Sequence, residues 1–176
     1  MRYFNKLAEG IDVTQLRVAL MRNPQLWNQN NCRREFEGTP HKETDDILLR
    51  FGLADGNDLE ATDTSAMASI PKAKDAARAI MVNVGGVRLG RVVITRLGPG
   101  GKILPHSDVI GDYAKYYTRF HLVLQGLPGS LFNCGDETVV MQTGELWWFD
   151  ASAEHSVVNN SKDDRLHMLV DVRIDP

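Results

Sequence analysis

The pattern of apolar and polar positions changes character at about Val87. Before it, apolar residues recur at helical spacing or sit alone in polar stretches. After it, short apolar runs alternate with turn residues. In the first part, Val13, Leu16, Ala19 and Leu20 share one helical face, which predicts a helix over Asp12 to Arg22, capped by Asp12 and stopped by Asn23-Pro24. Trp27 to Thr44 is polar and irregular, and Ile47 to Phe51 reads as a short strand. Residues 53–72, rich in Asp, Gly, Thr and Ser, read as a surface loop. A second helix is predicted from about Lys72 to Val82, with Pro71 at its start.

Beyond Val87 the candidate strands are RLGRVVITRL, RFHLVLQ, GSLFNC, TVVMQ, ELWWF, HSVVN and RLHMLVDVRI. Pro99-Gly100-Gly101, Pro128-Gly129, Gly135-Asp136 and Thr143-Gly144 separate them. So many short strands in about 90 residues predict a mainly β fold, a barrel or jelly roll. No repeat, linker or low-complexity segment divides the chain. A helical N-terminal part (about 1–86) is therefore expected to pack on a β core (about 87–176) as a single domain.

Composition narrows the field. A chain of 176 residues can bury a core without disulfide staples. A hydrophobic fraction of 43% and a charged fraction of 24% are those of a globular protein. The net charge of −3 comes with dispersed Lys and Arg, so no nucleic-acid footprint is expected. No run approaches the roughly 18 apolar residues of a membrane span. Cys32 and Cys134 form no close ligand pair and fit free thiols in a reducing compartment. The opening run MRYFNKLAEGID has no apolar leader core, so a cytoplasmic protein is the expectation.

The candidate chemistry lies in the β part. His106-Ser107-Asp108 is an H-x-D, whose two ligand side chains share a face if the run is a strand. His155 follows Asp108 by 47 residues and precedes another strand. Two histidines and a carboxylate are the facial set that holds non-haem iron(II) and leaves coordination positions open. An H-x-D by itself is also what a surface turn with a capping Asp looks like; the Pro-Gly-Gly turn before His106 and the Arg165 that follows His155 favour the metal reading. Arg165 is one strand-length on, where its planar guanidinium could pair bidentately with a dicarboxylate rather than face solvent. Arg119 and His121 share one face of RFHLVLQ with Val123, opposite Phe120, Leu122 and Leu124. That polar pair lines a pocket if its face is the interior, or meets water if it is not. His167 shares the face of Arg165. Trp147 or Trp148, only one of which can face inward, is a candidate cavity wall. His41 has no supporting context and reads as a loop histidine.

The runs RLGPGGKILPHSD, RFHLVLQG and GELWWFDASAEHSVVNNSKDDRLHMLVDVR resemble the aspartyl/asparaginyl β-hydroxylase family over roughly Gly90 to Arg173. The resemblance implies a double-stranded β-helix (jelly roll, cupin-like) and a dioxygenase that uses Fe(II) and the co-substrate 2-oxoglutarate. It implies that His106, Asp108 and His155 bind iron, that Arg165 binds the distal carboxylate of 2-oxoglutarate, and that Arg119 and His121 lie near its other end. Oxidative decarboxylation to succinate and CO₂ would accompany hydroxylation of an amino-acid side chain (an Asp- or Asn-type residue in a protein, or a free amino acid) or of a small metabolite. The protein-modifying vertebrate members lack the carboxylate ligand. Asp108 therefore makes this chain more similar to small bacterial members, including those that act on free amino acids such as proline.

A second resemblance is partial. Gly100, His106, Gly144, His155 and Asn159 fall at spacings similar to the two cupin motifs, but Asp150 and Ser152 stand where those carry Pro and Gly. A cupin-type metalloenzyme that does not use 2-oxoglutarate is the alternative, and Arg165 discriminates because only the oxygenase needs a carboxylate clamp there. An inert jelly-roll binding module is the third reading; the complete His-Asp-His set argues against it.

Overall fold

The computed structural model describes residues 1–52, 60–108 and 113–174. Its strands are β1 (Phe4–Ala8), β2 (Thr44–Phe51), β3 (Thr62–Asp63), β4 (Arg88–Leu97), β5 (Lys102–His106), β6 (Tyr117–Gln125), β7 (Ser130–Cys134), β8 (Glu137–Val139), β9 (Leu146–Phe149), β10 (His155–Asn159) and β11 (Arg165–Arg173). The helices are α1 (Thr14–Arg22), α2 (Cys32–Glu35), α3 (Ser65–Ser69), α4 (Pro71–Asn83) and α5 (Tyr113–Tyr116). The strands form a seven-stranded sheet, β1-β9-β6-β11-β4-β2-β3, facing a four-stranded sheet, β5-β10-β7-β8, with antiparallel pairing throughout. The two sheets form the jelly roll among the strand pattern's expectations, the double-stranded β-helix that the family resemblance implies.

The large sheet is buried on both faces, and alternation assigns each residue to one of them. Phe120, Leu122 and Leu124 of β6 and Met168, Val170 and Val172 of β11 face outward into a core closed by Leu16 and Leu20 of α1 and Ala73, Ala77 and Ile80 of α4. Each such Leu or Phe contributes about 1.5–3 kcal/mol by leaving water. The intervening residues face the smaller sheet. There Leu97, Val123 and Trp147 meet Ile103, Phe132 and Val157 in a second core. The period of two thus sets aside the alternate β6 and β11 positions, Arg119, His121, Arg165, His167 and Asp171, for the space between the sheets.

Several expectations need correction. The N-terminal part is not purely helical, because β1 pairs with β9 and β2 pairs with β4, so both extend the large sheet. The expected loop over 53–72 contains β3 and α3, and α3 buries Ala66 and Met67; residues 53–59 lie outside the described residues. The first helix starts at Thr14 and its N-cap is Val13, which offers no side-chain cap; Asp12, one residue earlier, still accepts from the Thr14 backbone N–H at 2.9 Å. Gly100, in the turn from β4 to β5, has φ +77°, a left-handed conformation that glycine adopts without penalty. Among the described residues no helix is long and apolar enough to cross a membrane.

Candidate active site

One cavity opens between the sheets. Arg33, His41, Thr95, Ile103, His106 and Asp108 line one part of it. Arg119, His121, Phe132, Phe149, His155, Val157, Arg165 and Leu169 line the rest.

His106 ends β5 and His155 begins β10, and the two are direct partners in the antiparallel ladder, with ring centroids 4.2 Å apart. The Nδ1 of His106 lies 2.7 Å from the Leu104 carbonyl, and that of His155 lies 3.0 Å from the Ala153 carbonyl. A carbonyl only accepts, so each Nδ1 carries a proton, and in the neutral ring the Nε2 is the bare lone pair. This is the tautomer a metal ligand needs. Burial, ahead of other effects, pushes the His155 pKa down, which keeps the ring neutral.

Asp108 does not lie on a strand, contrary to the expectation from the H-x-D spacing. It sits two residues past the end of β5, where its backbone N–H donates to the Ala151 carbonyl at 2.8 Å. Its Oδ2 accepts from Arg119 Nη1 at 2.7 Å, while its Oδ1 lies 3.6 Å from His106 Nε2. Burial alone would raise the Asp108 pKa; the opposing charge of Arg119, with a smaller contribution from Arg33, holds it below the usual carboxylate value. One ligand atom from each of His106, Asp108 and His155 falls within 4.8 Å of the others. Two imidazole Nε2 atoms and one free carboxylate oxygen, converging at this distance, fit a divalent transition metal.

Arg119 faces the cavity, as the polar-pair reading anticipates, but it is already engaged. Nε and Nη2 donate to the two oxygens of buried Asp171, at 2.8 and 3.1 Å, and Nη1 donates to Asp108. Tyr113 donates to Asp171 from behind at 3.2 Å. In this arrangement Arg119 is a strut that orients Asp108, and only its second Nη hydrogens are left for a ligand.

Arg165 is 4% exposed, and no carboxylate among the described residues pairs with it. Its guanidinium lies over the Phe132 ring, 5.6 Å from the centroid, and its Nη2 donates to His167 Nδ1 at 3.1 Å. Burial alone pushes its pKa down to about 9. A buried cation without an anion is costly unless a ligand supplies the charge. Because Arg165 can only donate, His167 Nδ1 is an acceptor. The neighbouring His121 Nδ1, 3.3 Å away, is then the N–H that donates to it. His121 Nε2 is left as a buried lone pair with no partner among the described residues. In this network His121 presents an acceptor to its surroundings.

Three polar cavity residues escape a reading of the sequence. His41, read as a loop histidine, is in a turn but packs edge-on against His106, with centroids 5.1 Å apart. Arg33 and Thr95 also line the cavity. Of the tryptophans, Trp147 faces inward and Trp148 faces the helices, as alternation requires, but neither lines the cavity; Phe149 does.

Fold and site together define a class, a double-stranded β-helix with a two-histidine, one-carboxylate cluster on its inner face. The chain belongs to the aspartyl/asparaginyl beta-hydroxylase family, whose model matches residues 21–174 and so reaches well into the N-terminal part. It is similar to an L-proline cis-4-hydroxylase from Rhizobium meliloti, 38% identical over 85 residues, which is 48% of this chain and 29% of that protein. The chain thus matches less than a third of that relative's length. Several solved structures share its fold, two of them over nearly the whole chain at the TM-scores that follow. One is a Trichoplax adhaerens prolyl hydroxylase in complex with a hypoxia inducible factor peptide fragment (TM-score 0.66, 10% identity, 99% of this chain and 84% of that one). The other is HygX from Streptomyces hygroscopicus with nickel and 2-oxoglutarate bound (TM-score 0.64, 11% identity, 98% and 83%).

Proposed function

We propose that this chain is an iron(II)- and 2-oxoglutarate-dependent dioxygenase that hydroxylates an amino-acid side chain, in a free amino acid or a peptide. The observation that carries the reading is Arg165, a buried cation lacking a carboxylate partner among the described residues, in the same cavity as the His106, Asp108 and His155 cluster. A metal cluster alone fits any cupin-like metalloenzyme. A waiting guanidinium beside it calls for a dianionic co-substrate.

His106, Asp108 and His155 would hold the iron, and Arg165 would bind the far carboxylate of 2-oxoglutarate. Bound iron would supply O₂ activation coupled to the oxidative decarboxylation of 2-oxoglutarate. The chain's own part is geometric and electrostatic. Arg119, braced by Asp171, keeps Asp108 ionised and turned toward the histidines. His121 offers an acceptor beside Arg165, and Phe132 and Phe149 keep water away. Bacterial relatives with an L-proline hydroxylase name make a free amino acid the first substrate to try.

The test is succinate release from 2-oxoglutarate with iron(II), screened over free amino acids and short peptides. Stimulated, iron-dependent release supports the reading. Substrate turnover that leaves 2-oxoglutarate untouched would favour the plain cupin alternative.

A further inference from the structure

The cavity has a second cationic wall, built from the N-terminal part. Arg33 comes from the four-residue helix α2 and has a side chain 14% exposed. Its Nη1 donates to Asp46 Oδ1 at 2.9 Å, and Asp46 is itself 2% exposed. Nη2 is poorly served. It approaches both ring nitrogens of His41, at 3.4 and 3.3 Å, and a neutral imidazole can accept at only one. Compared with Arg119, which spends three donors on two carboxylates, Arg33 has donors to spare.

Next to it is an unused hydroxyl. Thr95 on β4 is the register partner of Asp46 on β2, so it is beside the carboxylate that holds Arg33. Thr95 is 3% exposed, lines the cavity, and its Oγ1 has no hydrogen-bond partner among the described residues. An unpaired buried hydroxyl costs free energy, which a ligand can recover by bonding to it. Asp46 and Arg165 stand on strands two places apart in the sheet, a lateral separation of roughly 10 Å. Arg33, held by Asp46, is therefore set apart from Arg165, while Thr95 stands on the strand between them, opposite His167. His41 closes this wall against His106.

We propose that Arg33 and Thr95 form a carboxylate-binding subsite for the molecule to be hydroxylated, beside the metal cluster and separate from Arg165. A guanidinium with free donors and a hydroxyl together match the two oxygens of one carboxylate. The substrate class is then an amino acid or peptide that presents a carboxylate there. The inference rests on the hydroxylase reading.

The experiment separates the two. Binding of 2-oxoglutarate to the wild-type protein loaded with Mn(II) tests the hydroxylase reading by itself. Binding of L-proline and L-aspartate is then compared with that of prolinamide and of an aspartyl peptide blocked at both ends. The blocked peptide distinguishes a side-chain carboxylate from the α-carboxylate. An acid should bind roughly tenfold or more tightly than its amide. Arg33→Met should weaken acid binding at least tenfold more than it weakens 2-oxoglutarate binding, and Arg33→Lys should restore part of it. Thr95→Val, which breaks no hydrogen bond seen in the unliganded protein, should weaken the acid without lowering the melting temperature. Equal binding of acid and amide, binding of no acid, or variants that lose 2-oxoglutarate and acid alike would overturn the subsite.

Discussion

Replacing Arg165 by Met should make the ligand-free protein more stable while removing its response to 2-oxoglutarate. The guanidinium is 4% exposed, and burial alone lowers its pKa from 12.5 to about 9. At about 1.4 kcal/mol per pH unit, that is a desolvation penalty of order 5 kcal/mol. The contacts with His167 and Phe132 return part of it. Methionine has a similar volume and carries no charge to desolvate. Replacement of buried charges by apolar side chains gains about 1–4 kcal/mol where it has been favourable, so a net gain of about 1–3 kcal/mol is expected here. For a chain of this size each kcal/mol moves the melting temperature by about 2–4 °C. Thermal denaturation of the Mn(II)-loaded protein with and without 2-oxoglutarate reads both effects. The wild type should gain about 2.7 kcal/mol at 2-oxoglutarate concentrations near a hundred times its dissociation constant, and Arg165→Met should gain almost nothing. A variant that is less stable than wild type, or that keeps the full 2-oxoglutarate shift, would refute the picture of an anion-seeking buried cation.

Asp171→Asn leaves Arg119 short of a charge partner and frees it from its brace, so Asp108 should lose its orientation. The expected result is metal affinity lower by about 10–100-fold in a Mn(II) titration, and an affinity unchanged within about twofold would show that Asp108 needs no strut. His121 and His167 are fully enclosed, and burial first, then Arg165, holds both far below the usual histidine pKa. They stay neutral in the folded protein, whereas the unfolded chain takes up their protons below about pH 6.5. Stability is therefore fully present above that pH and is lost as pH falls, by about 1.4 kcal/mol per pH unit for each histidine. Urea midpoints of the metal-free protein from about pH 7 to about pH 5.5 should fall steeply, with a shallower slope for His167→Asn; a flat profile would contradict buried neutral rings.

The β core was legible because each strand obeys a period of two, and a one-residue slip would turn Arg119 and His121 out toward α1 and α4. The same rule correctly separates Trp147 from Trp148. The meeting of His106, Asp108 and His155 was legible because His106 and His155 mark the ends of paired strands. The missing parts depend on contacts distant in sequence. β1 buries fully only Phe4 of its five residues, and its place as an edge strand comes from pairing with Leu146–Phe149. Arg33 and His41 lie in a stretch with no periodicity, and Asp46 and His106 bring them to the cavity only once the sheets have closed. Thr95 reads as an ordinary strand residue, and only the unpaired state of its hydroxyl sets it apart. Arg119 was placed on the correct face, but its main partner, Asp171, is 52 residues away and invisible to local spacing.

The most direct test follows the oxygen atoms. Reaction with isotopically labelled O₂, iron(II), 2-oxoglutarate and an active amino-acid substrate should place one labelled atom in succinate and one in the hydroxylated product, with succinate and product formed in equal amounts. His155→Ala should give neither. Label in the product alone, with 2-oxoglutarate unconsumed, would contradict the account and assign the chain to cupin-type oxygen chemistry.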